Sequence, residues 1–108
     1  MRLSIIIVNW NTAKLLRQCL DSLVSSINPP AGGQVLSIEI IVVDNGSTDN
    51  SVEEVKKFIV HSSLFNIQLI ENQANLGFAK AVNQALRQVY TERNRSAQGE
   101  AFFLLNSD

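Results

Sequence analysis

The sequence predicts an α/β fold, a mostly parallel sheet with helices on both faces in the order β-α-β-α-β-α-β. Two observations carry this. Four short apolar runs rich in β-branched residues alternate with three stretches whose apolar residues recur at helical spacing. The second run, Ile38-Glu39-Ile40-Ile41-Val42-Val43, is almost unbroken and ends abruptly at Asp44, as expected of a strand buried on both faces of a parallel sheet.

Leu3–Val8 reads as the first strand, followed by a polar break, Asn9-Trp10-Asn11-Thr12, in which Asn11 or Thr12 can cap a helix. Leu15, Leu16, Cys19, Leu20, Leu23 and Val24 then trace one face of that helix. Asn28-Pro29-Pro30-Ala31-Gly32-Gly33 marks a surface loop. After the second strand, Ser51 and Glu54 have capping-box spacing ahead of Val55, Phe58 and Ile59, so the second helix is expected to start near Ser51. Ile67–Ile70 is a short third strand. Phe78, Ala79, Val82, Leu86 and Val89 trace a third helix, Thr91–Glu100 reads as a solvated connection, and Ala101–Leu105 is the fourth strand. His61 falls in a polar connection without other metal-ligating residues near it.

Composition narrows the function classes. In 108 residues, 45% hydrophobic and 18% charged, the chain has an ordinary globular balance and room for one domain. A net charge of -1 gives no general attraction to nucleic acid or anionic lipid. One cysteine, Cys19, excludes an internal disulfide, fits a reducing compartment and reads as a core thiol. Leu3–Val8 is too short for a secretory segment, and no apolar stretch approaches the roughly 20 residues of a membrane span. The sequence has no G-x-G-x-x-G after the first strand, no P-loop, no nucleophile elbow, and too few Cys and His for a typical zinc site.

The informative residues are those at the strand ends. Strand 1 ends in Asn9-Trp10-Asn11, strand 2 in Asp44-Asn45, and strand 4 in Asn106-Ser107-Asp108. In a parallel sheet all carboxyl ends share one edge, where ligands of open α/β sheets bind. If strands 1 and 4 are neighbours, this edge assembles two carboxylates, several amides and an indole. A nucleotide fits that inventory. Asp44 can accept from a base or ribose donor, and Asp108 can hold a divalent cation shared with a diphosphate. The same residues have structural readings: Asp44-Asn45-Gly46 is a turn signal and Ser47-Thr48-Asp49 a helix cap.

Five pieces in order resemble the family 2 inverting glycosyltransferases of GT-A fold: Ser4–Asn11, Leu16–Leu23, Ile41–Asp49, Asn75–Ala79 with Asn83, and Leu104–Asp108. The Asn-Trp-Asn and Asn-Leu-Gly-Phe-Ala forms look most like a rhamnosyltransferase-like branch that builds bacterial polysaccharides. The resemblance implies a Rossmann-like nucleotide-diphospho-sugar transferase fold. It implies that Asp44 binds the base, with Asn9, Trp10, Asn11 and Asn45 lining the nucleotide pocket. Asn75, Gly77 and Asn83 would shape the donor site, and Asn106-Ser107-Asp108 stands where the family has Asp-x-Asp, with Asp108 the ligand of Mg²⁺ or Mn²⁺. Asn106 can hydrogen-bond ribose or water but adds no charge.

The resemblance further implies a dTDP-, UDP- or GDP-sugar donor and a glycan or lipid-linked acceptor, in the cytoplasm or at the cytoplasmic face of the membrane. The family's catalytic base and acceptor half lie downstream of the Asp-x-Asp position. Residues 1–108 are therefore expected to be the N-terminal, donor-binding part of a longer transferase, inactive alone. An apolar fourth strand left as an edge would favour self-association. Two other readings fit the element order: a non-catalytic transferase-like assembly module, and a flavodoxin-like binding domain, which leaves the strand-end acids unexplained.

Overall fold

The computed structural model describes residues 2–27, 37–61, 66–93 and 100–106. The elements are β1 (Arg2–Asn9), α1 (Ala13–Ile27), β2 (Ser37–Asp44), α2 (Ser51–His61), β3 (Asn66–Glu71), α3 (Phe78–Arg93) and β4 (Glu100–Asn106). All pairings are parallel, in the order β3-β2-β1-β4. The predicted α/β order and the β1–β4 neighbourhood are both present. The Asn28–Gly33 loop lies outside the described residues.

The order dictates which face each helix covers. The chain steps from β1 to β2 to β3 in one direction, then returns across the sheet to β4. Right-handed crossovers therefore put α1 and α2 on one face and α3 on the other. Strand alternation builds a core on each side. Ile5, Ile7, Ile40 and Val42 pack with Leu16 and Leu20 of α1 and Val55 of α2. Ile6, Val8, Ile41 and Val43 pack with Ala81, Val82, Ala85 and Val89 of α3. Each buried Ile or Val contributes about 1.5–3 kcal/mol relative to exposure. Cys19 is half-buried against the first core, and burial pushes its thiol up, which keeps it protonated.

Three sequence expectations are corrected. Thr91, Glu92 and Arg93 continue α3, and Glu100 already belongs to β4, so the solvated connection is shorter than the polar composition suggested. His61 is the exposed last residue of α2. The second helix does start at Ser51 as expected, but Ser51 and Glu54 do not form a capping box: Ser51 donates its backbone N–H (3.0 Å) and hydroxyl (2.6 Å) to Asp49, while Glu54 pairs with Arg17 and Lys57. Glu39 lies in the second strand as expected and is buried on the α3 face. It accepts from Ser4 Oγ at 3.3 Å and Gln68 Nε2 at 3.0 Å, and Gln88 donates to Gln68. This polar line crosses the sheet at the end opposite the strand-end cluster.

Candidate functional site

Two hydrogen-bond networks meet at the carboxyl edge of the sheet, one on each face. Asn9 continues the Ile5–Ile7 side of β1, and Asp44 the Ile40–Val42 side of β2. The two are register partners, buried on the α1/α2 face. Asn9 Nδ2 donates to Asp44 Oδ1 at 2.9 Å. Ser47 donates its hydroxyl to Oδ1 (2.7 Å) and its backbone N–H to Oδ2 (2.8 Å). Thr12 Oγ1 donates to Asn9 Oδ1 at 2.7 Å. A carboxylate offers about four lone-pair positions. Among the described residues three are filled, two on Oδ1 and one on Oδ2.

Asn11 ties the β1–α1 loop to the β2–α2 loop. Its φ of 52° is left-handed, a conformation Asn tolerates better than most residues. There its N–H reaches Ser47 Oγ at 2.8 Å, and its Oδ1 accepts from the N–H groups of Thr48 (2.7 Å) and Asp49 (3.3 Å). Thr12 occupies the N-cap position of α1, its carbonyl accepting from Leu16 N. The first helical N–H, that of Ala13, is bound by Asp49 Oδ2 at 3.2 Å. Asp49 thus joins the N-termini of α1 and α2 with one carboxylate, where helix dipoles favour negative charge. Slight burial pushes that carboxyl up, but hydrogen bonds from Ser51 and Ala13 outweigh it and hold the group below its ordinary value.

The second network, centred on Asn45, lies on the α3 side. The Asn45 N–H donates to the Asn9 carbonyl at 2.9 Å. Its buried side chain donates through Nδ2 to the Gly77 carbonyl (3.3 Å) and accepts at Oδ1 from Asn72 Nδ2 (2.9 Å) and Leu76 N (3.5 Å). Asn72 and Gln84 exchange two hydrogen bonds of 2.8 Å. Asn75 Oδ1 accepts from Gly77 N at 2.9 Å. Gly46, at φ 80°, brings the β2–α2 loop against the β3–α3 loop; a Cβ there would lie 3.0 Å from Ala74 Cα. Gly77, at φ 87°, faces open space.

Of the sequence candidates, the structure brings together Asn9, Asn11, Asp44, Asn45, Asn75 and Gly77. Trp10 is 44% exposed beside them, with Leu76 and Phe78 at 42% and 43%. Trp10 follows Asn9, and Leu76 and Phe78 flank Gly77; Asn9, Leu76 and Gly77 all bond to Asn45. Asn83 is exposed on α3 and belongs to neither network. Asn106 ends β4 with Val8 as its register partner, one residue before Asn9. Ser107 and Asp108 lie outside the described residues. Among the described residues, no group of three or more His, Cys, Asp or Glu gathers to hold a metal ion. Ser47 was legible only as a helix cap, though its spacing from Asp44 is that of a side-chain-to-backbone turn. Asn72 and Gln84 carried no signal. At this edge Trp10, Leu76 and Phe78 are partly exposed apolar side chains, while the N-termini of α1 and α2 are already bound by the Asp49 carboxylate.

The chain matches the family model described as glycosyl transferase family 2 over residues 4–108. It is 32% identical over 108 residues to the uncharacterized glycosyltransferase MG060 homolog of Mycoplasma pneumoniae, covering 100% of this chain and 32% of that protein. The crystal structure of S. aureus TarS superposes with a TM-score of 0.73 at 28% identity, covering 100% of this chain and 17% of that one. The mannosyltransferase PcManGT from Pyrobaculum calidifontis, in complex with GDP-Man and Mn²⁺, superposes with a TM-score of 0.68 at 29% identity, over 81% of this chain and 24% of that one. The chain thus spans about a third or less of the length of these relatives.

Proposed function

This chain belongs to glycosyl transferase family 2, and from that premise we propose that it forms the donor nucleotide site of an inverting glycosyltransferase. The observation that carries the reading is that Asn45 joins the end of β1 to the β3–α3 loop, through Asn9 on one hand and Leu76 and Gly77 on the other, with Trp10, Leu76 and Phe78 exposed next to these residues in the chain. In this reading Trp10 stacks on the base, and the β3–α3 loop with Asn75, Gly77 and the neighbouring Asn83 borders the ribose and diphosphate. Asp44 first holds the β1 and β2 loops in place through Asn9 and Ser47. Its Oδ2 atom serves a base or ribose donor.

The donor is a dTDP-, UDP- or GDP-linked hexose. The Asn9-Trp10-Asn11 and Asn75–Ala79 forms favour a rhamnosyltransferase-like activity, and the acceptor is the hydroxyl of a glycan or lipid-linked saccharide in bacterial polysaccharide synthesis. We assign the reaction to the cytoplasmic side. Among the described residues, no helix is long and apolar enough to cross a membrane.

A divalent cation is supported by the Mn²⁺ of the mannosyltransferase neighbour. The described residues alone do not offer its ligand set, so the proposal gives it to Asp108 and the donor's phosphate oxygens. When bound, the ion would neutralise charge on the departing diphosphate. The base that activates the acceptor hydroxyl is assigned to residues beyond this chain.

The test is donor turnover by the full-length protein against UDP-, dTDP- and GDP-hexoses, with and without Mg²⁺ or Mn²⁺, reading nucleoside diphosphate release and the anomeric configuration of the product. Cation-dependent release with an inverted product is expected. Transfer with retention, or no donor turnover with any offered acceptor, would overturn the reading.

A further inference from the structure

The geometry points to Gln84 and Asn72 as positioning residues for the donor site, acting through Asn45; this rests on reading the β3–α3 loop as part of that site. Residues 73–77 are exposed, the Ala74 backbone lies close against Gly46, and nothing lies within 4 Å of a Cβ built on Gly77. At Gly77 itself the left-handed turn is held by polar partners: Asn75 Oδ1 accepts from its N–H, and its carbonyl accepts from Asn45 Nδ2 and Ala81 N.

A carboxamide has two ends of similar shape and opposite hydrogen-bonding sense. What decides the orientation of Asn45 is which end its neighbours accept. The backbone sets the sense of the chain: the Leu76 N–H takes Asn45 Oδ1 and the Gly77 carbonyl takes Asn45 Nδ2. Asn72 then meets Asn45 Oδ1 with its Nδ2. Gln84 holds Asn72 in that orientation by the reciprocal pair, Gln84 Nε2 donating to Asn72 Oδ1 and Gln84 Oε1 accepting from Asn72 Nδ2. Reversing any one amide sets N–H against N–H, or oxygen against oxygen, at the next contact. Gln84 on α3 thus braces, through Asn72, the Asn45 side chain that holds the turn beginning α3. Such chains act as units, and their members are expected to couple.

The experiment uses the full-length protein with Gln84→Met, which keeps the length of the side chain and removes both polar ends, Asn72→Ala, the double variant, and Arg87→Ala as an exposed control on the same helix. Affinity for UDP, dTDP and GDP is measured by calorimetry, with donor KM, kcat and thermal midpoint alongside. The expected result is a rise of about three- to tenfold in nucleotide Kd and donor KM for Gln84→Met. On the same account kcat and Tm stay near wild type, the double variant is no worse than Asn72→Ala, and Arg87→Ala is neutral. An unchanged Kd for Gln84→Met in a protein whose wild type binds the nucleotide overturns the inference and leaves the donor site standing. So does a fall in Tm and kcat with KM unmoved. Absence of binding by the wild type to all three nucleotides overturns the donor reading as well.

Discussion

Asn9 and Asp44 are partners at the ends of adjacent parallel strands, and the Asn9 carboxamide donates to the Asp44 carboxylate at 2.9 Å. Both are buried, so losing one leaves the other a polar group to satisfy. Asn9→Ala is expected to destabilise the fold by about 1.5–3 kcal/mol, the range for a hydrogen bond to a charged group. Asn9→Asp should be worse, because it sets a second carboxylate against the first. Urea unfolding midpoints check both; equal midpoints for wild type and Asn9→Ala would remove the pair from any organising role.

The two left-handed glycines separate conformational strain from crowding. Gly77→Ala meets open space, so its cost is that of a left-handed L-residue, about 1–2 kcal/mol. Gly46→Ala bears the same cost and also drives a Cβ to 3.0 Å from the Ala74 backbone. Gly46→Ala is therefore expected to lower stability more, measured in the same unfolding series.

Asp49 gives the fold an acid-sensitive contact. Its carboxyl is held below its ordinary value in the folded state by Ser51 and Ala13. The stabilisation is therefore complete above the unfolded-state value and is lost as pH falls through the lowered folded-state value. Asp49→Asn should narrow the stability gap to wild type as pH drops through that window. Thermal midpoints between neutral and strongly acid pH measure this, and a constant gap would contradict it.

Trp10 is expected to separate binding from folding. Base–aromatic stacking contributes about 1–3 kcal/mol by alanine substitution, and Trp10 is half-exposed. Trp10→Ala should weaken nucleoside diphosphate binding about tenfold or more with little change in Tm. Calorimetry with the preferred nucleotide checks this.

The fold was legible because its strongest signals are local. Runs such as Ile38–Val43 have few stable fates other than a doubly buried strand, and Leu16, Cys19, Leu20 and Leu23 mark one helical face. The edge was legible too, since abrupt polar stops at Asn9 and Asp44 fall together once the sheet is parallel. What escaped the sequence depends on pairing across distance. Glu39 looks like an interruption in an apolar run until Ser4 and Gln68 stand beside it. Asn72 and Gln84 are ordinary polar residues whose meaning exists only as a pair. The end of α3 is not marked in the sequence, because Thr91-Glu92-Arg93 is polar and a solvated helix turn shares its composition with a loop.

The most direct measurement is a titration of the isotope-labelled protein with UDP, dTDP and GDP, each with and without Mg²⁺. It reads the Trp10 indole N–H and the backbone amides of Asn45, Leu76 and Gly77. The account predicts that one nucleotide shifts these signals together and leaves Ser4 and Gln68, at the opposite end of the sheet, unmoved. A folded protein in which the Trp10 and Gly77 signals stay in place with all three nucleotides, or in which the shifts gather around Ser4 and Gln68, would contradict it.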